Sequence, residues 1–176
     1  LKDTNREAMR AKKSAVTKGY MKDDFINCFV SEDVHKEILL NKGYWCRFHT
    51  ITLIINEFIS KNKNCQILNL GCGLDTLPFN LLHQLKNKNY KNEFKYFECD
   101  LNEVVDDKVE KIKSNKILSD ILGNITDLKI NDVRTIKGDN YCIFECDINK
   151  YNDFIKTIEL VGVDFKYNNK NTYNYF

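Results

Sequence analysis

The sequence predicts an α/β fold in which a helical N-terminal cap precedes a parallel β-sheet. Three observations carry that reading. Short apolar runs that stop at Gly or Asp, CQILNL before Gly71 and FKYFECD before Leu101, have the length and composition of buried strands. Segments of helical periodicity separate these runs, and strands that alternate with helices pair in parallel through right-handed crossovers. The first 60 residues contain helical patterning and no comparable strand run.

In chain order, residues 3–18 have helix-forming composition, with Asp3 or Thr4 available as N-cap and Met9, Ala15 and Val16 as an apolar stripe. Gly19 ends that helix, being free to adopt positive φ. Residues 24–30 form a short helical stretch with Phe25, Cys28 and Phe29 on one side. Over 41–59, Tyr44, Phe48, Ile51, Ile55 and Phe58 recur at helical spacing, which predicts a strongly amphipathic helix. Cys65–Leu70 follows as a strand, 77–85 as a helix, Phe94–Asp100 as a second strand and Asn102–Ser114 as another helix. Residues 115–140 carry few sharp signals; a helix near 117–122 and a short strand near Val133–Lys137 are expected there. Residues 141–146 read as the third core strand and Tyr151–Val161 as a helix opening after an Asp. The chain thus divides into a cap or lid over 1–60, a core over 61–164, and an Asn-rich tail, or the start of an insertion, over 165–176.

Composition bounds the function. The 176 residues include 27 Lys+Arg against 25 Asp+Glu, and a net charge of +2 argues against a protein that binds nucleic acid through a basic field. A hydrophobic fraction of 43% with 30% charged residues describes one ordinary globular domain, and no run approaches the length of a membrane span. Asn and Lys supply about a quarter of the chain, which reads as codon bias toward AAT and AAA, so runs such as KNKNYKN are expected to be solvated loop. The opening LKDTNREAMR is neither an initiator Met nor a secretory signal and reads as a shortened chain. Seven Cys, none in a C-x-x-C pair, point to reduced, buried thiols in a cytoplasmic protein rather than to zinc or a disulfide framework.

The chemistry concentrates at the first strand-to-helix junction, Leu70-Gly71-Cys72-Gly73-Leu74-Asp75-Thr76. A G-x-G directly after a buried strand lets the backbone turn sharply and approach a ligand closely. The third glycine of a dinucleotide fingerprint is missing, which disfavours NAD. Asp100 ends the second strand, where a carboxylate can accept both ribose hydroxyls, and Asp147 follows the third, where an adenine edge would lie. Together they describe an adenosine site without phosphates, as for S-adenosylmethionine; the plainer alternative is that each Asp caps the next helix. Arg47 interrupts an apolar helix face and is one of four Arg beside 23 Lys; its fork suits a carboxylate. His49 sits beside aromatics as a structural group, and His35 and His83 lack partners at metal-ligand spacing.

GYMKDDFINCFV, NKGYWCRFHT, CQILNLGCGLDT, YFECDLNEV and FECDIN occur in the order found in leucine carboxyl methyltransferases, which the chain resembles over most of residues 10–160. The resemblance implies a Rossmann-like S-adenosylmethionine-dependent methyltransferase fold, here truncated after the third strand: the fourth strand and its Glu, which complete the pocket in that family, do not follow. It implies methyl esterification of the C-terminal leucine carboxylate of type-2A protein phosphatase catalytic subunits, by a cytoplasmic monomer with no nucleic-acid or membrane partner. The resemblance further implies that Lys12 and Arg47 hold the carboxylate end of S-adenosyl-L-methionine and that Gly71, with Gly73 and Asp75, lies along its methionine part. Asp100, with Leu101, would bind the ribose, while Asp147 and Ile148 would flank the adenine; no catalytic base and no metal are implied. Two alternatives stand beside this reading, the related carboxyl methyltransferases of wybutosine in transfer RNA and a non-catalytic module that only binds the cofactor. A nicotinamide-dependent dehydrogenase ranks third.

Overall fold

The computed structural model describes residues 2–88, 90 and 93–164. Three helices come first: α1 (Lys2–Thr17), α2 (Ile26–Phe29) and α3 (Ile38–Lys61). The core follows as β1 (Cys65–Leu70), α4 (Leu77–Asn87), β2 (Phe94–Asp100), α5 (Asn102–Ser114), α6 (Lys116–Leu122), β3 (Thr126–Ile130), β4 (Val133–Lys137), β5 (Tyr141–Glu145) and α7 (Tyr151–Val161). The Asn-rich segment 165–176 lies outside the described residues.

One five-stranded sheet runs in the order β1-β2-β5-β4-β3. β1, β2 and β5 are the three core strands expected from the sequence and β4 the short strand expected near Val133–Lys137; β1, β2 and β5 pair in parallel, with Leu70 opposite Cys99 and Asp100 opposite Glu145. The expectation of a wholly parallel sheet is corrected beyond β5, where β4 and β3 pair antiparallel as a hairpin. That hairpin turns through Asn131 and Asp132, at φ 48° and 67°, a two-residue turn with both residues left-handed. β3 escaped the sequence reading because four of its five residues are exposed, which leaves little apolar periodicity.

Period-two alternation along β2 divides the core. Tyr96, with Ile143 and Ile136 of neighbouring strands, packs against Phe79, Val105, Val109 and Leu118 of the helices α4–α6. Phe97 and Cys99, with Cys142 and Phe144, pack against Ile158 and Val161 of α7. The cap closes on the first of these layers through Met9, Phe25, Phe29 and Ile59. Gly19 terminates α1 as expected: at φ 76° it lets its N–H reach Val16 O and the Tyr20 N–H reach Ala15 O. At the other end α1 already runs from Lys2, so Asp3 and Thr4 belong to its first turn rather than to its N-cap.

The apolar stripe of α3 is used only in part. Ile55 and Phe58 pack on the core and Ile59 is buried, whereas Leu39, Leu53 and Ile54 are exposed. The outer edge of β1 likewise has no strand neighbour among the described residues. Four cysteines are buried as expected, but Cys46 on α3 is exposed and Cys28 and Cys146 are half-buried.

Candidate functional site

The carboxyl ends of β1, β2 and β5 lie side by side, which places three loops around one crevice, the usual ligand position in an open α/β sheet. The loop after β1 turns at once. Gly71 and Gly73 adopt φ 66° and 54°, where a Cβ is strained, and the Gly71 and Cys72 N–H groups both donate to Cys99 O at 2.9 and 3.1 Å. The Gly73 N–H donates to Asp100 Oδ2 at 2.8 Å, so the turn is stitched to the end of β2. Nothing stands within 4 Å of the position a Gly71 Cβ would occupy. A cleft of about 400 Å³ opens there between the turn, α1 and α3.

Helical spacing supplies the other walls. Asn5, Met9 and Lys12 stand along one face of α1, and Tyr44, Arg47, Phe48 and Ile51 along one face of α3. Lys12 is almost fully buried and packs over the Phe48 ring, 4.4 Å from its centroid. Its ammonium reaches Asp75 Oδ1 and Asp23 Oδ2, both at 2.9 Å, and donates to Thr76 Oγ1 at 2.6 Å. Burial pushes the Asp75 carboxyl up, but the Lys12 ammonium outweighs it and holds the group below its ordinary value. Asp23, whose side chain is entirely enclosed, also accepts from Thr76 Oγ1, from Asn80 Nδ2 at 2.9 Å and from the Phe25 N–H at 3.0 Å. Arg47 is exposed on the cleft wall and forms no ion pair among the described residues, which leaves its fork available to an anion.

A second charged group lies beneath the turn. Glu98 and Lys108 are both fully buried and pair at 2.7 Å, and Lys108 Nζ also donates to the Asp75 carbonyl at 2.8 Å. Burial lowers the proton affinity of that ammonium, but Glu98 beside it more than compensates and keeps Lys108 charged.

Lys12, Arg47, Gly71, Gly73 and Asp75 therefore meet in the cleft, while Asp100 at the end of β2, Leu101 after it, and Asp147 and Ile148 on the loop after β5 stand outside its wall. Asp100 accepts from the Gly73 N–H and, through Oδ1, from the Leu101 N–H at 2.8 Å; each oxygen keeps a second lone pair. The Cys146 N–H donates to Asp100 O at 2.8 Å, which brings the Asp147 loop alongside. Asp147 accepts from the Asn149 N–H at 3.0 Å, and Ile148 is about half exposed. Neither Asp caps a helix: the caps of α5 and α7 are Leu101 and Lys150, without side-chain hydrogen bonds. His49 stacks on Trp45 at 5.2 Å and does not line the cleft. The sequence reading missed Asn5, Asp23, Glu98 and Lys108; the spacing of Asn5 and Lys12, two helical turns apart, was a usable signal for the first.

Comparison with known proteins decides the family, since the leucine carboxyl methyltransferase model matches residues 3–171. The chain belongs to the leucine carboxyl methyltransferase family. It is 33% identical over 147 residues to a leucine carboxyl methyltransferase 1 homolog of Arabidopsis thaliana, covering 82% of this chain and 42% of that protein. It is 30% identical over 145 residues to leucine carboxyl methyltransferase 1 of Yarrowia lipolytica, covering 70% and 44%. It is also 29% identical over 167 residues to tRNA wybutosine-synthesizing protein 4 of Aspergillus fumigatus, covering 92% of this chain and 16% of that one. The chain thus spans less than half the length of these relatives. The cleft brings together a backbone open at Gly71, a guanidinium without an ion pair among the described residues, and, at its margin, a strand-end carboxylate whose oxygens each keep a lone pair.

Proposed function

We propose that this chain carries the cofactor-binding half of an S-adenosylmethionine-dependent methyltransferase that esterifies the C-terminal leucine carboxylate of a type-2A protein phosphatase catalytic subunit. The observation that carries the reading is the cleft in which Arg47 and Lys12 face the Gly71–Gly73 turn at the end of β1. S-adenosylmethionine, when bound, supplies an electrophilic methyl group on a sulfonium. Arg47 would hold the carboxylate of its methionine part with a bidentate fork, and Lys12, whose three N–H bonds go to Asp23, Asp75 and Thr76, would add its positive charge unless it exchanges one of those partners for the ligand. Gly71, Gly73 and Asp75 would lie along the amino-acid chain, Asp100 and Leu101 beside the ribose, and Asp147 and Ile148 at the adenine. The substrate carboxylate is anionic at pH 7, its ordinary pKa being roughly 3.5, so the protein needs to supply no general base. Its residues act by aligning the reactants and excluding water, and proximity alone supplies several kcal/mol.

The relatives named for wybutosine synthesis support a second reading, methylation of a carboxyl group on transfer RNA. Labelled methyl transfer separates the two. Incorporation into a peptide ending in a free leucine carboxylate, and not into its amide, supports the phosphatase reading. Incorporation into transfer RNA instead supports the second. Cofactor binding with neither product would leave a binding module.

A further inference from the structure

A buried ion pair contributes little to stability, because desolvation of both charges offsets their attraction. The Glu98–Lys108 pair therefore calls for another explanation. Lys108 stands on the apolar face of α5, between Val104 and Val105 on one side and Val109 and Ile112 on the other, where an aliphatic residue would serve packing as well. Every polar atom of the pair is used. Glu98 accepts from Lys108, from Tyr141 OH at 2.6 Å and from Asn69 Nδ2 at 3.3 Å. Lys108 spends its second bond on the Asp75 carbonyl and points near the Phe79 ring. Asn69 belongs to β1, Glu98 to β2 and Tyr141 to β5, so the group joins all three parallel strands to α5 directly under the glycine turn.

We propose that Lys108 is a positioning residue for the cofactor turn. Its ammonium fixes the Asp75 carbonyl, and Glu98 is the buried counter-ion that keeps the ammonium there. Asp75 is then held twice, by Lys12 of the cap through its side chain and by Lys108 of the core through its backbone. Between them they set the height of residues 71–76 above the sheet, and so the place of the Gly71 and Gly73 backbone in the cleft. Lys108 does not line the cleft. The inference rests on the cofactor reading above.

The test is calorimetric titration of the chain with S-adenosylhomocysteine. E98Q/K108M removes both charges and the donor to Asp75, while E98Q/K108Q keeps an amide donor. V109A, a buried change on the same helix that removes neither a charge nor the donor to Asp75, serves as the stability control. E98Q/K108M is expected to bind on the order of tenfold to a hundredfold more weakly than the parent, the scale of one or two hydrogen bonds lost from the displaced turn. E98Q/K108Q should recover part of that loss, and V109A should bind as the parent does despite a lowered melting temperature. Affinity of E98Q/K108M within twofold of the parent would overturn the proposal, as would equal weakening in V109A. Should E98Q/K108M fail to fold, E98Q/K108Q against V109A makes the same comparison, with equal affinities overturning the proposal. Absence of binding by the parent chain would instead strike the cofactor reading and the inference with it.

Discussion

Substituting Asp23 by Ala removes the acceptor on which the cap and the cofactor turn converge. Four donors reach this enclosed carboxylate: Lys12 Nζ and Asn80 Nδ2 at 2.9 Å, the Phe25 N–H at 3.0 Å, and Thr76 Oγ1. Breaking one side of a buried ion pair costs about 3–5 kcal/mol when the other charge is stranded. Here Lys12 keeps Asp75 and Thr76, which places the charge contribution at the lower end. The Phe25 N–H loses its partner in a buried position, adding about 1–3 kcal/mol. Asp23→Ala should therefore destabilise by about 4 kcal/mol, and Asp23→Asn, which keeps an acceptor for Phe25, by about half of that. Urea unfolding at pH 7, followed by far-ultraviolet circular dichroism with the denaturant slope checked for constancy, measures both. A loss under about 1 kcal/mol for the Ala variant, or equal losses for both variants, would refute the convergence argued from the geometry.

Three other outcomes are expected. Arg47→Ala should weaken S-adenosylhomocysteine binding by about 2–3 kcal/mol, the scale of a hydrogen bond to a charged group, with an unchanged melting temperature; unchanged affinity removes Arg47 from the site. Burial pushes the Cys65 thiol up to about 11 and those of Cys99 and Cys142 to about 12, from an ordinary 9.0. The unfolded chain then loses these protons first, so stability should fall as pH rises past about 9, and native-state alkylation at pH 8 should label exposed Cys46 ahead of these three. Asp132→Val places a branched side chain at φ 67° and should cost about 1–2 kcal/mol in thermal unfolding; an unchanged midpoint would deny the hairpin turn.

How legible the molecule was depends on where its signals lie. β1, β2 and β5 could be read because each is a short, mostly apolar run that stops at a Gly or an acid, at Gly71, Asp100 and Asp147. β3 could not, because TDLKI is largely exposed at a sheet edge, and only the Asn131-Asp132 pair betrayed its turn. Arg47, Gly71 and Gly73 stood out by residue type, and the structure brings them to one cleft. Glu98 and Lys108 look like surface charges in FECD and DDKVEK, since the burial that gives them meaning arises only when α5 crosses the sheet. A signal was nevertheless present. Glu98 shares a strand face with Tyr96, and Lys108 follows Val104 by one helical turn, so both charges occupied core positions by periodicity. Asp23 carried no such pattern, because it lies in an irregular link between α1 and α2.

Calorimetric titration of the chain with S-adenosylmethionine, S-adenosylhomocysteine and NAD tests the central claim most directly. The first two should bind saturably at one site, with binding abolished or strongly weakened by Arg47→Ala, and NAD should give no heat. Binding of NAD, or of none of the three, would contradict that claim.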